Sequence, residues 1–136
     1  FSALMKLKEA GIPTVVWLTP ILPFINDTED NLRGILDYCI QAGVKGIICF
    51  DMGLTLREGN REYFYRKLDE HFPEMKQKYI SAFGDNYYCT SPDNRKLMKI
   101  FRTVCKENGI MYNTDEIFEY LHTFEEKCEN EQLTLF

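Results

Sequence analysis

The chain has 136 residues, 45% of them hydrophobic, which is material for one domain with its own core. Its 16 Lys and Arg stand against 21 Asp and Glu, a formal charge of −5, so no global basic field attracts a nucleic-acid backbone. The longest apolar runs, Pro13 to Leu18 and Gly46 to Phe50, fall far short of the roughly 20 residues that cross a bilayer, so no membrane span is expected.

The chain opens at Phe1 within an amphipathic stretch, without an initiator Met or the basic and apolar regions of a signal peptide, and reads as cut from a longer protein. Leu4, Leu7 and the residues around them read as the last turns of a helix that stops at Gly11. Pro13 to Leu18 follows as a buried strand, then a loop over 19–27. Leu32, Ile35, Leu36 and Cys39 repeat at helical spacing behind the caps Asn26, Asp27 and Thr28, and that helix ends at Gly43. Lys45 to Asp51 reads as a second buried strand. The phrase helix, Ala-Gly, apolar strand thus occurs twice, with Gly11 and Gly43 separated by 32 residues, the period of a βα unit. Buried strands alternating with helices imply a parallel sheet covered by helices, open or closed into a barrel.

A third helix is expected over 60–72, stopped by Pro73, and a short helical stretch over 74–79. A Gly-Asp-Asn turn at 84–86 leads to Tyr87, Tyr88 and Cys89. Ser91-Pro92 starts a helix whose core face is Leu97, Phe101, Val104 and Cys105. Ile110 to Tyr112 reads as a short strand, and Asn113 or Thr114 caps a last helix carrying Ile117, Leu121, Phe124 and Cys128. Only two strands are evident, against eight in a closed TIM barrel, so the pattern is that of the C-terminal part of something larger.

Five cysteines, at 39, 49, 89, 105 and 128, give neither an even disulfide framework nor metal-ligand spacing, and no metal ligand is assigned. Cys39, Cys49 and Cys105 sit among apolar residues and are expected to be buried free thiols in a reducing cytoplasm. His71 and His122 are isolated and read as structural or surface groups.

In parallel α/β folds the ligand lies at the carboxyl ends of the strands, here the segments after Leu18 and Phe50. The first, 19–28, holds two prolines and an Asn-Asp-Thr cluster. It suits a rigid loop with a helix cap or a ligand-lining loop. In the second, 51–60, Gly53 allows close backbone approach, Arg57 suits a carboxylate or phosphate, and Met52 offers a polarizable wall or a core side chain. Asp51 or Glu58 could act as a general base, or pair with Arg57 or Arg61. Tyr63, Phe64, Tyr65, Tyr79, Phe83, Tyr87 and Tyr88 suit packing of a helix on a sheet more simply than stacking on bases. No P-loop, dinucleotide fingerprint, HExxH or Gly-x-Ser-x-Gly elbow occurs.

The phrases Ala10-Gly-Ile-Pro-Thr-Val-Val-Trp-Leu-Thr-Pro-Ile-Leu-Pro-Phe-Ile-Asn-Asp-Thr28 and Gly43-Val-Lys-Gly-Ile-Ile-Cys-Phe-Asp-Met-Gly-Leu-Thr-Leu-Arg-Glu-Gly-Asn-Arg-Glu-Tyr-Phe-Tyr65 resemble the C-terminal half of radical S-adenosylmethionine (SAM) proteins, in the group related to spore photoproduct lyase. The resemblance spans nearly the whole chain. It implies an α/β fold, the C-terminal fragment of a partial (β/α)6 TIM-like barrel with additional C-terminal helices over 1–124, completed by its own missing N-terminal half. It also implies a [4Fe-4S] cluster that cleaves S-adenosylmethionine to a 5′-deoxyadenosyl radical, with damaged DNA or a related nucleic acid as substrate. The family's Cys-x3-Cys-x2-Cys cluster motif does not occur here, so this piece is expected to be inactive alone and to bind neither group. By position at the strand ends, Thr19, Asn26, Asp51, Met52 and Arg57 are expected to line the cavity.

Residues 125–136 form a polar tail ending in Gln132-Leu133-Thr134-Leu135-Phe136, which resembles the bacterial sliding-clamp-binding pentapeptide. Gln132, Leu133, Leu135 and Phe136 would anchor in the clamp's apolar groove, or the tail folds back onto its own barrel. The alternatives for the whole chain are a non-enzymatic interaction domain, or an α/β hydrolase or aldolase-like barrel fragment using Asp51 or Glu58. A truncated barrel also exposes sheet edge, so self-association of the piece is expected.

Overall fold

Two small sheets and six helices make up the computed structural model, which describes residues 1–123. The expected positions of Phe124 and Cys128 on the last helix, and the 132–136 peptide, lie outside the described residues. The first half is a βαβ unit. Helix α1 (Ser2–Glu9) ends in a turn closed by Ile12 N–H donating to the Leu7 carbonyl at 2.9 Å, with Gly11 at φ 71°. That left-handed value is one that glycine adopts without strain. Strand β1 (Val15–Trp17) then leads through a loop to α2 (Glu29–Ala42) and back to β2 (Gly46–Ile48).

The two strands are parallel, in register Val15 with Gly46, Val16 with Ile47 and Trp17 with Ile48. The crossover helix is fixed at both ends. Thr28 Oγ1 accepts from Asn31 N–H at 3.2 Å, Glu29 and Asp30 occupy the first turn, and Gly43 ends the helix at φ 65°. On the other side of β2, Met111 forms a single parallel bridge to Gly46, in place of the strand expected over 110–112.

The second half differs from expectation. Strand β3 (Gly53–Thr55) lies within the segment read as a loop, and pairs antiparallel with β4 (Tyr88–Thr90), Gly53 opposite Thr90 and Thr55 opposite Tyr88. The strands therefore form one parallel and one antiparallel pair in place of a single parallel sheet. Between these strands run α3 (Asn60–His71) and α4 (Met75–Phe83), the latter extending four residues past the expected end, to Phe83. Helices α5 (Asn94–Glu107) and α6 (Thr114–His122) follow, α6 capped by Asn113 Oδ1, which accepts from the N–H groups of Asp115 and Glu116.

The main core joins Leu32, Leu36 and Cys39 of α2 to Ile47 of β2 and to Leu97, Phe101 and Cys105 of α5. Cys39, Cys49, Cys89 and Cys105 are buried free thiols. Burial pushes the Cys49 and Cys105 thiols up to about 12, with Asp51 adding to the shift at Cys49. A second cluster centres on Tyr79, fully buried, whose ring meets Phe24, Phe64 and Phe83 and whose hydroxyl donates to the Pro23 carbonyl at 2.7 Å. These aromatics pack two helices against the 19–27 loop.

Strand β1 departs from the expected buried strand: Val15 and Val16 are half-buried and Trp17 is 55% exposed. It is the edge of its sheet, and one face of it is uncovered. The architecture is mixed α/β. No closed barrel forms among the described residues, and no helix there is long and apolar enough to cross a membrane.

Candidate functional site

Leu18 N–H donates to the Ile48 carbonyl at 2.9 Å, which holds the ends of β1 and β2 level. The chain leaves both strands on the same side. Thr19 and Pro20 continue from β1, Phe50 and Asp51 from β2, and the β3–β4 ribbon stands opposite them. Between these segments lies an open cavity of about 580 Å³ whose walls include Thr19, Phe50, Asp51, Leu54, Thr55 and Tyr88. Ile21 N–H donates to the Gly53 carbonyl at 3.1 Å, tying the first loop to the ribbon.

The cavity is amphipathic. Phe50 and Tyr88 are 64% and 67% exposed, and Trp17 meets Phe50 edge-on at 6.0 Å between ring centroids, so a broad aromatic face is open at the mouth. Its one carboxylate is the half-buried Asp51, whose Oδ2 accepts from Thr90 Oγ1 at 3.1 Å. The Oδ1 atom has no partner among the described residues. With the hydroxyls of Thr19, Thr55 and Tyr88, the site offers one anionic acceptor, several neutral donors and flat apolar walls. That combination suits a small ligand carrying a ring and hydroxyl or amino donors.

Behind the cavity a polar layer fixes the backbone. Met52 N–H donates to Asn94 Oδ1 at 2.8 Å, and its carbonyl accepts from Ser91 N–H at 2.8 Å. Ser91 is buried; its hydroxyl donates to Asp27 Oδ2 at 2.5 Å and accepts from Asp93 N–H at 3.0 Å. A loop from each half is thereby locked to the start of α5.

Of the five residues expected at the site, Thr19 and Asp51 line the cavity. Asn26 instead braces its own loop, its Oδ1 accepting from Leu22 N–H at 2.6 Å and its carbonyl accepting from Asn31 Nδ2 at 2.8 Å. Met52 is fully buried, so its side chain belongs to the core. Arg57 lies beyond the ribbon, where its Nε donates to the Tyr87 hydroxyl at 3.2 Å. That guanidinium holds the Tyr87 phenol below its usual range.

The pairing of Arg57 or Arg61 with Asp51 or Glu58 does not form among the described residues. Arg61 instead donates to the carbonyls of Leu56, Gly84, Asp85 and Asn86 at 2.8–3.2 Å, clamping the turn before β4. Four carbonyls on one fork satisfy a guanidinium that would otherwise seek a carboxylate. The sequence reading missed Phe50, Leu54, Thr55 and Tyr88. Adjacent aromatic and polar residues just past a buried strand were the available signal for Phe50.

No group of three or more His, Cys, Asp or Glu positioned for a metal occurs among the described residues. The four described thiols are buried and held neutral, and no three of them are grouped to hold a metal, so they do not fit an iron–sulfur cluster.

No family model matches the chain, and no solved structure gives a significant match. Among curated proteins it is similar to the formate–tetrahydrofolate ligase of Pelagibacter ubique (strain HTCC1062), 26% identical over 121 residues, covering 89% of this chain and 20% of that protein. It is also similar to an uncharacterized protein of Mycobacterium tuberculosis (strain ATCC 25618 / H37Rv) and to one of Mycobacterium bovis (strain ATCC BAA-935 / AF2122/97). Each is 26% identical over 98 residues, covering 72% of this chain and 28% of the relative. The chain thus spans between a fifth and a third of the length of these relatives.

Proposed function

We propose that this chain is the C-terminal part of a radical S-adenosylmethionine enzyme and supplies one wall of its cavity. The observation that carries the reading is the open cavity at the carboxyl ends of β1 and β2, with Asp51 as its single carboxylate. The sequence resemblance supports it, and the greater length of the relatives fits a piece of a longer chain. In this reading the βαβ unit is part of a partial (β/α)6 barrel, and a preceding segment of the same polypeptide supplies the remaining strands. The β1 edge and the exposed Trp17 are where that segment packs.

The cluster is held by that other segment, since the cysteines described in this one do not fit it, and no step through it is assigned to these residues. S-adenosylmethionine, when bound, supplies the radical precursor. This chain's residues fit its adenosyl portion through one carboxylate: Asp51 accepts from hydroxyl or amino donors, and Thr90 orients it. The protein acts in the cytoplasm on damaged DNA or a related nucleic acid. The Pelagibacter relative's ligase activity is not carried over, because the match spans a fifth of that protein.

Anaerobic iron and sulfide analysis of the longer natural polypeptide, with cofactor cleavage assayed in the same sample, tests the reading. About four irons per chain and release of 5′-deoxyadenosine are expected. Absence of both overturns it and leaves an interaction domain or a hydrolase or aldolase-like fragment. The Gln132-Leu-Thr-Leu-Phe136 ending favours a tether to a bacterial sliding clamp in either case. Replacing Leu135 and Phe136 by Ala then abolishes clamp binding, and unchanged affinity removes the tether.

A further inference from the structure

Helix α5 carries a stripe of positive charge that the cavity reading does not use. Arg95, Lys99, Arg102 and Lys106 follow at i, i+4, i+7 and i+11, and 3.6 residues per turn place all four on one side of the helix. All are exposed, while Leu97, Met98, Phe101 and Cys105 of the same helix are buried in the core. No acidic residue occurs between Asn94 and Lys106, in a chain with a net charge of −5. Lys96, off the stripe, is taken by Glu29 of α2 at 3.0 Å, and among the described residues the four stripe cations have no ion-pair partner.

Like charges three and four residues apart repel one another and weaken their helix. An anionic partner lying along the stripe removes that repulsion. The stripe is about 16 Å long at 1.5 Å per residue, and a groove of about 750 Å³ lined by Asp93, Arg95, Lys96, Lys99, Arg102 and Thr103 runs beside it. Leu97, Met98, Phe101 and Cys105 of α5 face the core and Ile100 and Val104 are half-buried, so the stripe presents no large exposed apolar side chain to insert into a bilayer. The polyanion that fits is a nucleic-acid strand.

The start of the stripe adjoins the cavity. Asn94 holds Met52 N–H at 2.8 Å, and Met52 stands between the cavity residues Asp51 and Gly53. The exposed rings of Phe50 and Tyr88 at that cavity are surfaces on which unpaired bases stack. We propose that the stripe is a phosphate track for single-stranded nucleic acid, leading its bases to Phe50 and Tyr88. The track does not depend on radical chemistry at the cavity.

Anisotropy of a fluorescein-labelled 20-nucleotide oligothymidylate, titrated with the 136-residue chain between 50 and 200 mM salt, tests the proposal. Four phosphate contacts on a single strand predict a slope of log K against log salt of about −3. The R95Q/K99Q/R102Q/K106Q variant loses at least tenfold in affinity and flattens the slope. R66Q/K67Q/K76Q/K78Q on α3 and α4, with the same change in net charge, keeps wild-type affinity. F50A/Y88A weakens binding with the slope unchanged. The single reversals K99E and R102E each weaken binding several-fold while K67E does not, which keeps the test decisive if the quadruple variant fails to fold. Equal losses in the two quadruple variants, no binding at 50 mM salt, or binding only to phosphatidylserine vesicles overturns the proposal.

Discussion

The βαβ half and the β3–β4 ribbon bound the same cavity but are held together differently. Strands β1 and β2 are joined by a 14-residue crossover helix, and Ile47 sits in a core shared by α2 and α5. Its shape follows from apolar burial. The ribbon is two three-residue strands whose close approach depends on Gly53: a Cβ there would lie 2.6 Å from the Cys89 carbonyl oxygen. One wall thus rests on bulk packing and the other on a single missing side chain and a polar lock. Changes in the first should act mainly on stability, and changes in the second mainly on the site.

Phe101→Ala, in the core behind β2, is the largest expected effect on stability. It removes a fully buried ring that meets Tyr112 edge-on at 6.5 Å, and should cost about 3–5 kcal/mol in urea unfolding. Gly53→Ala forces β3 away from β4 at a cost of roughly 1–3 kcal/mol. It should reduce ligand capture by the longer polypeptide more than Phe101→Ala does when both are assayed below their unfolding midpoints. A result in which Phe101→Ala impairs the site more would break the contrast between the walls.

Ser91→Ala leaves Asp27 Oδ2 without its donor and Asp93 N–H without its acceptor, at a cost of about 1–3 kcal/mol. Thr28→Ala removes the α2 cap for about 1 kcal/mol, and being remote from the ribbon should leave the site unchanged.

The smallest effect at neutral pH comes from the thiols. Burial raises Cys49 and Cys105 to about 12, above the value of roughly 8.5 for an unfolded thiol. Because the folded value is the higher one, this contribution is complete below about pH 8.5 and is lost as pH rises toward 12. The urea midpoint should fall across that window, and C49A/C105A should flatten the fall.

The same contrast explains what could be read from the amino acids. Leu32, Leu36 and Cys39 declare α2 by their spacing, Thr28 and Gly43 mark its ends, and Gly46-Ile-Ile is continuous apolar chain, so the parallel pair and its helix were legible. Gly53-Leu-Thr and Tyr88-Cys-Thr are too short and too polar to stand out. They become strands only because tertiary contacts bring them opposite each other. At the site, strand-end position located Thr19 and Asp51. It did not separate Met52, which turns into the core, from its exposed neighbour Phe50. Nor does spacing reveal that Arg61 has four carbonyls within reach from the 84–86 turn and Leu56.

The most direct test of the central claim, that Asp51 in this cavity serves the cofactor, is to compare the longer polypeptide with its Asp51→Asn variant after identical anaerobic reconstitution. The account predicts equal iron content near four per chain and a reduced rate of 5′-deoxyadenosine release in the variant, with unchanged thermal unfolding. Equal release by both proteins, with the fold and iron content intact, would contradict it.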